Sequence, residues 1–109
     1  MRADVDNILI ALADPTRRAI VDQLARQPMR SGELAAHLGS TPSTVSRHLQ
    51  LLRRQGLVEE RHELEDARVR MYSLKEQPLR ELSDWITETQ RFWSDQLRAF
   101  KNHVEEANR

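Results

Sequence analysis

The interval from Ser31 to Gly56 constrains this chain most, because two short helical patterns are joined there by only Gly39-Ser40-Thr41-Pro42. Gly39 can take the left-handed conformation that ends a helix, and Thr41-Pro42 supplies a cap and a first-turn proline for the next. Val45, Leu49 and Leu52 fall at i, i+4 and i+7, a single buried stripe. The rest of that second helix offers small hydroxyls, an arginine and a histidine. Two helices joined by so short a turn, the second with a face that permits close approach, form a helix-turn-helix.

The flanking segments extend this pattern. Val5, Ile8, Leu9 and Leu12 mark one face of a first helix. Asp14-Pro15 caps and opens a second, with Ala19, Ile20 and Leu24 apolar and Pro28 as the stop. Ser31 is expected to cap a third helix, Gly32 to Leu38, with Leu34, Ala35 and Leu38 inward. Gly56 closes the fourth. The period then changes to two. Leu57 to His62 and Val69 to Leu74 read as strands, joined by the polar link Glu63 to Arg68. Pro78 is expected to start a last helix running to about Ala107. In it Ile86, Gln90, Trp93, Leu97, Phe100, Val104 and Ala107 step by four and three, with Trp85, Phe92 and Ala99 beside them. That stripe is wide enough to pack on the domain with one side and on a second subunit with the other.

The fold expected is therefore mainly helical with a small β-hairpin: four helices, two strands, then a final helix, a dimeric winged helix-turn-helix. It fills residues 1–109 as one domain, with the helix-turn-helix at 31–56, the wing at 57–75 and a dimerisation helix at 78–107.

Composition narrows the function. Lys and Arg together number 17, as do Asp and Glu, so the formal net charge is zero. The distribution is uneven. Thr41 to Gln55 holds Arg47, Arg53 and Arg54 with no acid, whereas Glu76 to Arg109 holds seven acids against five bases. A local, weak basic patch implies modest non-specific affinity for DNA and specific affinity that depends on two copies acting together. There is no cysteine, hence no disulfide, thiolate metal site or thiol sensor. No apolar run is long enough to span a bilayer, and Met1 to Asp6 is too acidic for a signal peptide, so a cytoplasmic location is expected.

A helix entering the major groove presents its first turns to base edges. Relative to the buried stripe, Ser43, Thr44, Arg47 and Gln50 point outward, with Ser46 and His48 at the sides. Arg47 is the expected base reader, since a guanidinium can bond O6 and N7 of guanine together. Ser43, Thr44 and Ser46 allow close approach and can bond bases or phosphates, with Thr41 at the helix start. His48 suits a phosphate. In the wing, Arg61, Arg68 and Arg70 either meet phosphate or pair with Glu63, Glu65 and Asp66.

The order of elements and several residues resemble the ArsR-type (ArsR/SmtB) winged-helix repressors over nearly the whole chain. The matching segments are Ala11-Leu-Ala-Asp-Pro-Thr-Arg-Arg-Ala-Ile20, Ser31-Gly-Glu-Leu-Ala35, Val45-Ser-Arg-His-Leu49, Leu52, and Gly56-Leu-Val58, with Arg68, Tyr72 and Leu74 in the second wing strand. The resemblance implies a homodimer built from the first and last helices, seated on an imperfect palindrome in its own promoter, and commonly released from DNA by a ligand. The interface it implies comprises Val5, Ile8, Leu9, Trp85, Ile86, Phe92, Trp93, Leu97 and Phe100. It also selects Arg68 as the DNA-contacting arginine of the wing and places His48 on the DNA-contacting helix. Three features depart from the family. The third helix lacks the cysteine pair of its metal sensors. His103 and Glu106 match one half of its zinc site, but Gln90 and Phe92 stand where the other half's Asp and His belong. The wing turn has Ala67 where a glycine is usual.

No metal site or cofactor is therefore expected, with His103 and Glu106 the candidate ligands if a metal does bind; an isolated pair on a charged helix, like Asp84 and Glu88, reads as solvated surface. His37 and His62 have no acid–base partner at a telling spacing. There is no phosphate loop or nucleophile motif, and Ser46 and His48, two apart on a helix, do not face each other. An enzyme is not expected. The aromatic residues of the last helix suit packing better than an effector pocket, and an organic effector is an open possibility. The competing class is a winged-helix module that binds proteins rather than DNA; the acid-free stretch from Thr41 to Gln55 favours DNA.

Overall fold

The computed structural model describes residues 3–63, 65–66 and 68–109. Ala67, at the wing turn, lies outside them. Helices α1 (Ala3–Leu12), α2 (Pro15–Leu24), α3 (Ser31–Leu38) and α4 (Pro42–Arg54) lead to strands β1 (Val58–His62) and β2 (Arg70–Leu74), then to helix α5 (Glu76–Ala107).

Local chemistry sets most boundaries. Asp14 caps α2 by accepting the Arg17 N–H at 3.0 Å, with Pro15 in the first turn. Thr41 caps α4 by accepting the Thr44 N–H at 3.3 Å. Gly39 and Gly56 both lie in the left-handed region, with φ of 61° and 77°. Just past each glycine an amide turns back: Ser40 N–H donates to the Ala35 carbonyl and Leu57 N–H to the Leu52 carbonyl, both at 3.0 Å.

Several expected boundaries move; the strands each begin one residue later, at Val58 and Arg70. Arg30, not Ser31, is the residue before α3, and Glu33 reaches back to accept the Arg30 N–H at 3.3 Å. Helix α2 ends at Leu24, before Pro28. Helix α5 begins at Glu76, two residues ahead of Pro78. Proline is tolerated there because first-turn amides have no intrahelical partner to lose.

The hairpin is antiparallel, with Val58 opposite Leu74 and Glu60 opposite Tyr72. Met29 adds a one-residue third edge: it exchanges both backbone hydrogen bonds with Tyr72, at 3.1 and 2.8 Å. That bridge ties the α2–α3 connection to the wing. The core gathers Ile8, Ala11, Ile20, Leu24, Leu34, Val45, Leu49, Leu52 and Leu57. Val45, Leu49 and Leu52 are wholly buried, so α4 is fixed to the body by the face opposite its polar flank.

Helix α5 departs from expectation. Leu79 and Leu82 pack on the core, and α5 contacts α1. Beyond them none of its residues is buried. At 1.5 Å per residue its 32 residues span about 48 Å, which stretches the molecule to 73 Å against 25 and 21 Å across. The expectation that one side of the whole stripe packs on its own domain is thus corrected: the α5 residues packed on the core are Leu79 and Leu82, near its start.

Candidate nucleic-acid interface

Burial of Val45, Leu49 and Leu52 leaves Ser43, Arg47 and Gln50 exposed, while Thr44, Ser46 and His48 are half-buried on the flanks. Burial on one face and exposure on the other both follow from the same helical period.

The hydroxyls at the start of α4 are organised. Thr41 donates its O–H to Thr44 Oγ1 at 2.8 Å while its own oxygen accepts the Thr44 amide, and Ser43 Oγ lies 3.3 Å from Thr41 Oγ1. Thr41 thus orders the helix start. Thr44 keeps its own hydroxyl proton to donate outward. Arg47, unlike Arg53 on the same helix, has no ion pair: among the described residues no carboxylate lies within ion-pairing distance of it. An exposed guanidinium with no internal partner keeps its whole donor fork for a ligand.

His48 lies inward of these groups. It is near enough to Asp14 for an imidazolium to favour the carboxylate there, a small contribution beside that of the backbone. The Arg17 N–H, hydrogen-bonded to Asp14, is the main cause of an Asp14 pKa below the ordinary aspartate value.

The wing arginines all have acid partners. Arg61 pairs with Glu59 at 2.8 Å, Arg70 with Glu60 at 3.1 Å and Arg68 with Asp66 at 3.3 Å. The partners differ in kind. Glu60, with a side chain only 8% exposed, accepts from both Arg53 at the end of α4 and Arg70 of β2, and so fastens the helix to the wing. Arg68 is 92% exposed and its Asp66 contact is local to the turn. Glu63 pairs not with a wing arginine but with Arg30, at 3.3 Å. Sequence reasoning did not single out Arg30, since no helical or strand period marks a loop residue.

The expected dimer face divides. Val5 and Ile8 are 3% and 1% exposed within the chain, so they belong to its own core and leave no free surface for a partner. Leu9 is exposed, as is its neighbour Ile10, which the i, i+3, i+4 pattern of α1 passed over. Trp85, Ile86, Phe92, Trp93, Leu97 and Phe100 are all exposed, Phe100 to 67%, and Val104 continues the row. A contiguous apolar face of this size is unusual on a monomer.

His103 and Glu106 lie exposed on α5. Among the described residues no three His, Cys, Asp or Glu side chains gather as a metal would need. Nor is any described helix long and apolar enough to cross a membrane.

Comparison with known proteins places these features in context. A family model described as bacterial regulatory protein, arsR family, matches residues 14–60. The HTH-type transcriptional regulator Rv2034 of Mycobacterium tuberculosis is 38% identical over 95 residues, which cover 87% of this chain and 83% of that protein. The transcriptional repressor SdpR of Bacillus subtilis is 28% identical over 82 residues, covering 75% and 88%. Among solved structures, an ArsR-like transcriptional regulator from Rhodococcus sp. RHA1 superposes with a TM-score of 0.78 at 25% identity, covering 92% of each chain.

Proposed function

The chain belongs to the arsR family of bacterial regulatory proteins and is a DNA-binding transcription regulator, and from that premise we propose that it acts as a homodimeric repressor on an imperfect palindrome. Each copy lays α4 in one major groove, with Arg47 on a guanine and Ser43, Thr44 and Gln50 on neighbouring base edges or phosphates. Thr41, Ser46 and His48 support the helix start and its flanks. Arg68 reaches the backbone from the wing. The observation that carries this reading is the combination at Arg47: an exposed guanidinium without an acid partner among the described residues, on a helix whose opposite face is wholly buried.

The homodimer is supported by the apolar row from Trp85 to Val104, which stays exposed in the single chain. A second copy seated on that row, with Leu9 at its margin, removes it from water, at roughly 25 cal/mol for each Å² buried. It also holds two α4 helices at a set separation, near one turn of DNA or a small multiple. An effector that altered this separation would weaken both half-sites together. The relatives above are regulators and repressors, so the protein-binding alternative draws no support from them.

The test is a gel shift with the DNA upstream of the gene encoding this chain, at two salt concentrations. A discrete, strongly salt-dependent complex supports the repressor. No retention at low salt rejects it.

A further inference from the structure

We propose that Arg30, Arg68 and Arg70 form a clamp for the phosphate backbone of one DNA strand, in the groove between the start of α3 and the wing. The proposal rests on the reading of α4 as the DNA-contacting helix. Arg30, Ser46, Arg68 and Arg70 line one groove. Ser46 belongs to α4, so a duplex that takes α4 into its major groove carries its adjacent backbone past this groove. Three guanidiniums and one carboxylate, that of Glu33, stand in its lining. The three arginine side chains are 52%, 92% and 61% exposed.

Each of the three is held by a carboxylate. Arg30 has Glu63 at 3.3 Å and Glu33 at 3.9 Å, Arg68 has Asp66 at 3.3 Å, and Arg70 has Glu60 at 3.1 Å. Solvent-exposed pairs hold little free energy. A phosphate accepts a guanidinium fork as well as a carboxylate does, so it can replace Glu63 and Asp66 at small cost. Glu60 is different: it is mostly buried and also holds Arg53, so Arg70 stays anchored there and offers its remaining N–H groups. This arrangement fits a chain of zero net charge. The acids mask the clamp at long range and yield it on contact.

The test measures binding of the full chain to a random-sequence duplex and to the upstream DNA, by fluorescence anisotropy over a series of KCl concentrations. Each phosphate contact contributes about 0.9 to the slope of log affinity against log salt. In a dimer each substitution removes two such contacts, so Arg30→Gln and Arg70→Gln are each expected to lower that slope by about 1.8 on both duplexes, with base preference unchanged. Arg30→Lys and Arg70→Lys keep the charge and are expected to keep the slope. Glu63→Gln, which removes a competitor without touching the groove's cations, is expected to tighten binding. Unaltered slopes in both glutamine variants, or unaltered affinity in Glu63→Gln, overturn the clamp while leaving the α4 reading intact. Failure of the unaltered chain to bind either duplex overturns both.

Discussion

Arg17 donates its Nε–H to the Ala11 carbonyl at 2.7 Å, joining the start of α2 to the end of α1. A second nitrogen of the same guanidinium reaches the Ile10 carbonyl at 3.2 Å, and Arg18 covers the Leu12 and Ala13 carbonyls at 2.8 and 3.1 Å. Four carbonyls at and just beyond the end of α1 are thus satisfied by two arginines from the next helix. The corner between α1 and α2 carries α1 to its place beside α5.

Arg17→Ala is expected to destabilise the fold by roughly 1.5–3 kcal/mol, the range for a hydrogen bond from a charged group. Its side chain is only 14% exposed, so water replaces the lost donors poorly. Arg17→Lys should recover part of this, since an ammonium lacks the fork that reaches two carbonyls. Urea unfolding measures both. A midpoint unmoved in Arg17→Ala would contradict the capping role.

The same corner predicts an acid response. The folded-state pKa of Asp14 is depressed, chiefly by the Arg17 N–H, so the carboxylate contributes stability above its unfolded-state pKa near 3.8. That contribution is lost as pH falls below this value and through the lower folded-state pKa. Asp14→Asn should therefore narrow its stability deficit on acidification over that window. A deficit of constant size down the titration would show that the ionised side chain is not what matters.

Arg47→Ala is expected to cost about 1–3 kcal/mol of specific binding, roughly five- to 150-fold in Kd, and to relax preference at one base per half-site. The helix itself should be unaffected, because no other described side chain depends on Arg47. Anisotropy titration against the upstream DNA and single-base variants of it gives the answer. An unchanged affinity and an unchanged base preference would remove Arg47 from the reading role.

Leu97 and Phe100 are about two-thirds exposed on α5, so glutamate there disturbs nothing within the chain. Leu97→Glu combined with Phe100→Glu should halve the mass measured by light scattering, leave helix content unchanged and abolish specific DNA binding. A variant pair that stays dimeric would move the interface elsewhere.

The reading of the fold from sequence was best where one residue type does one local job. Asp14-Pro15 and Thr41-Pro42 start helices, Gly39 and Gly56 end them, and the spacing of Val45, Leu49 and Leu52 orients α4. It was weakest where the deciding partner is distant in the chain. Met29 becomes a strand edge only because Tyr72 is there to exchange hydrogen bonds with it, and a single residue has no period. In α1 the inward face is Val5, Ile8 and Ala11, not Leu9. Apolarity alone favoured the leucine; packing chose the alanine, which lets neighbouring helices approach. The polar flank of α4 was legible because it is the complement of a buried stripe. Arg30 was not, because its place beside Arg68 and Arg70 exists only after the hairpin folds back.

The central claim is that two α4 helices, held by paired α5 rods, each read one half of a palindrome through Arg47. Methylation interference on the upstream DNA tests it most directly, because guanine N7 is the atom a bidentate arginine contacts in the major groove. Two guanines related by the twofold axis of the site, about one helical turn apart or a small multiple of it, should block binding when methylated, and both effects should vanish in Arg47→Ala. Interference at a single position, or at none, would contradict the account.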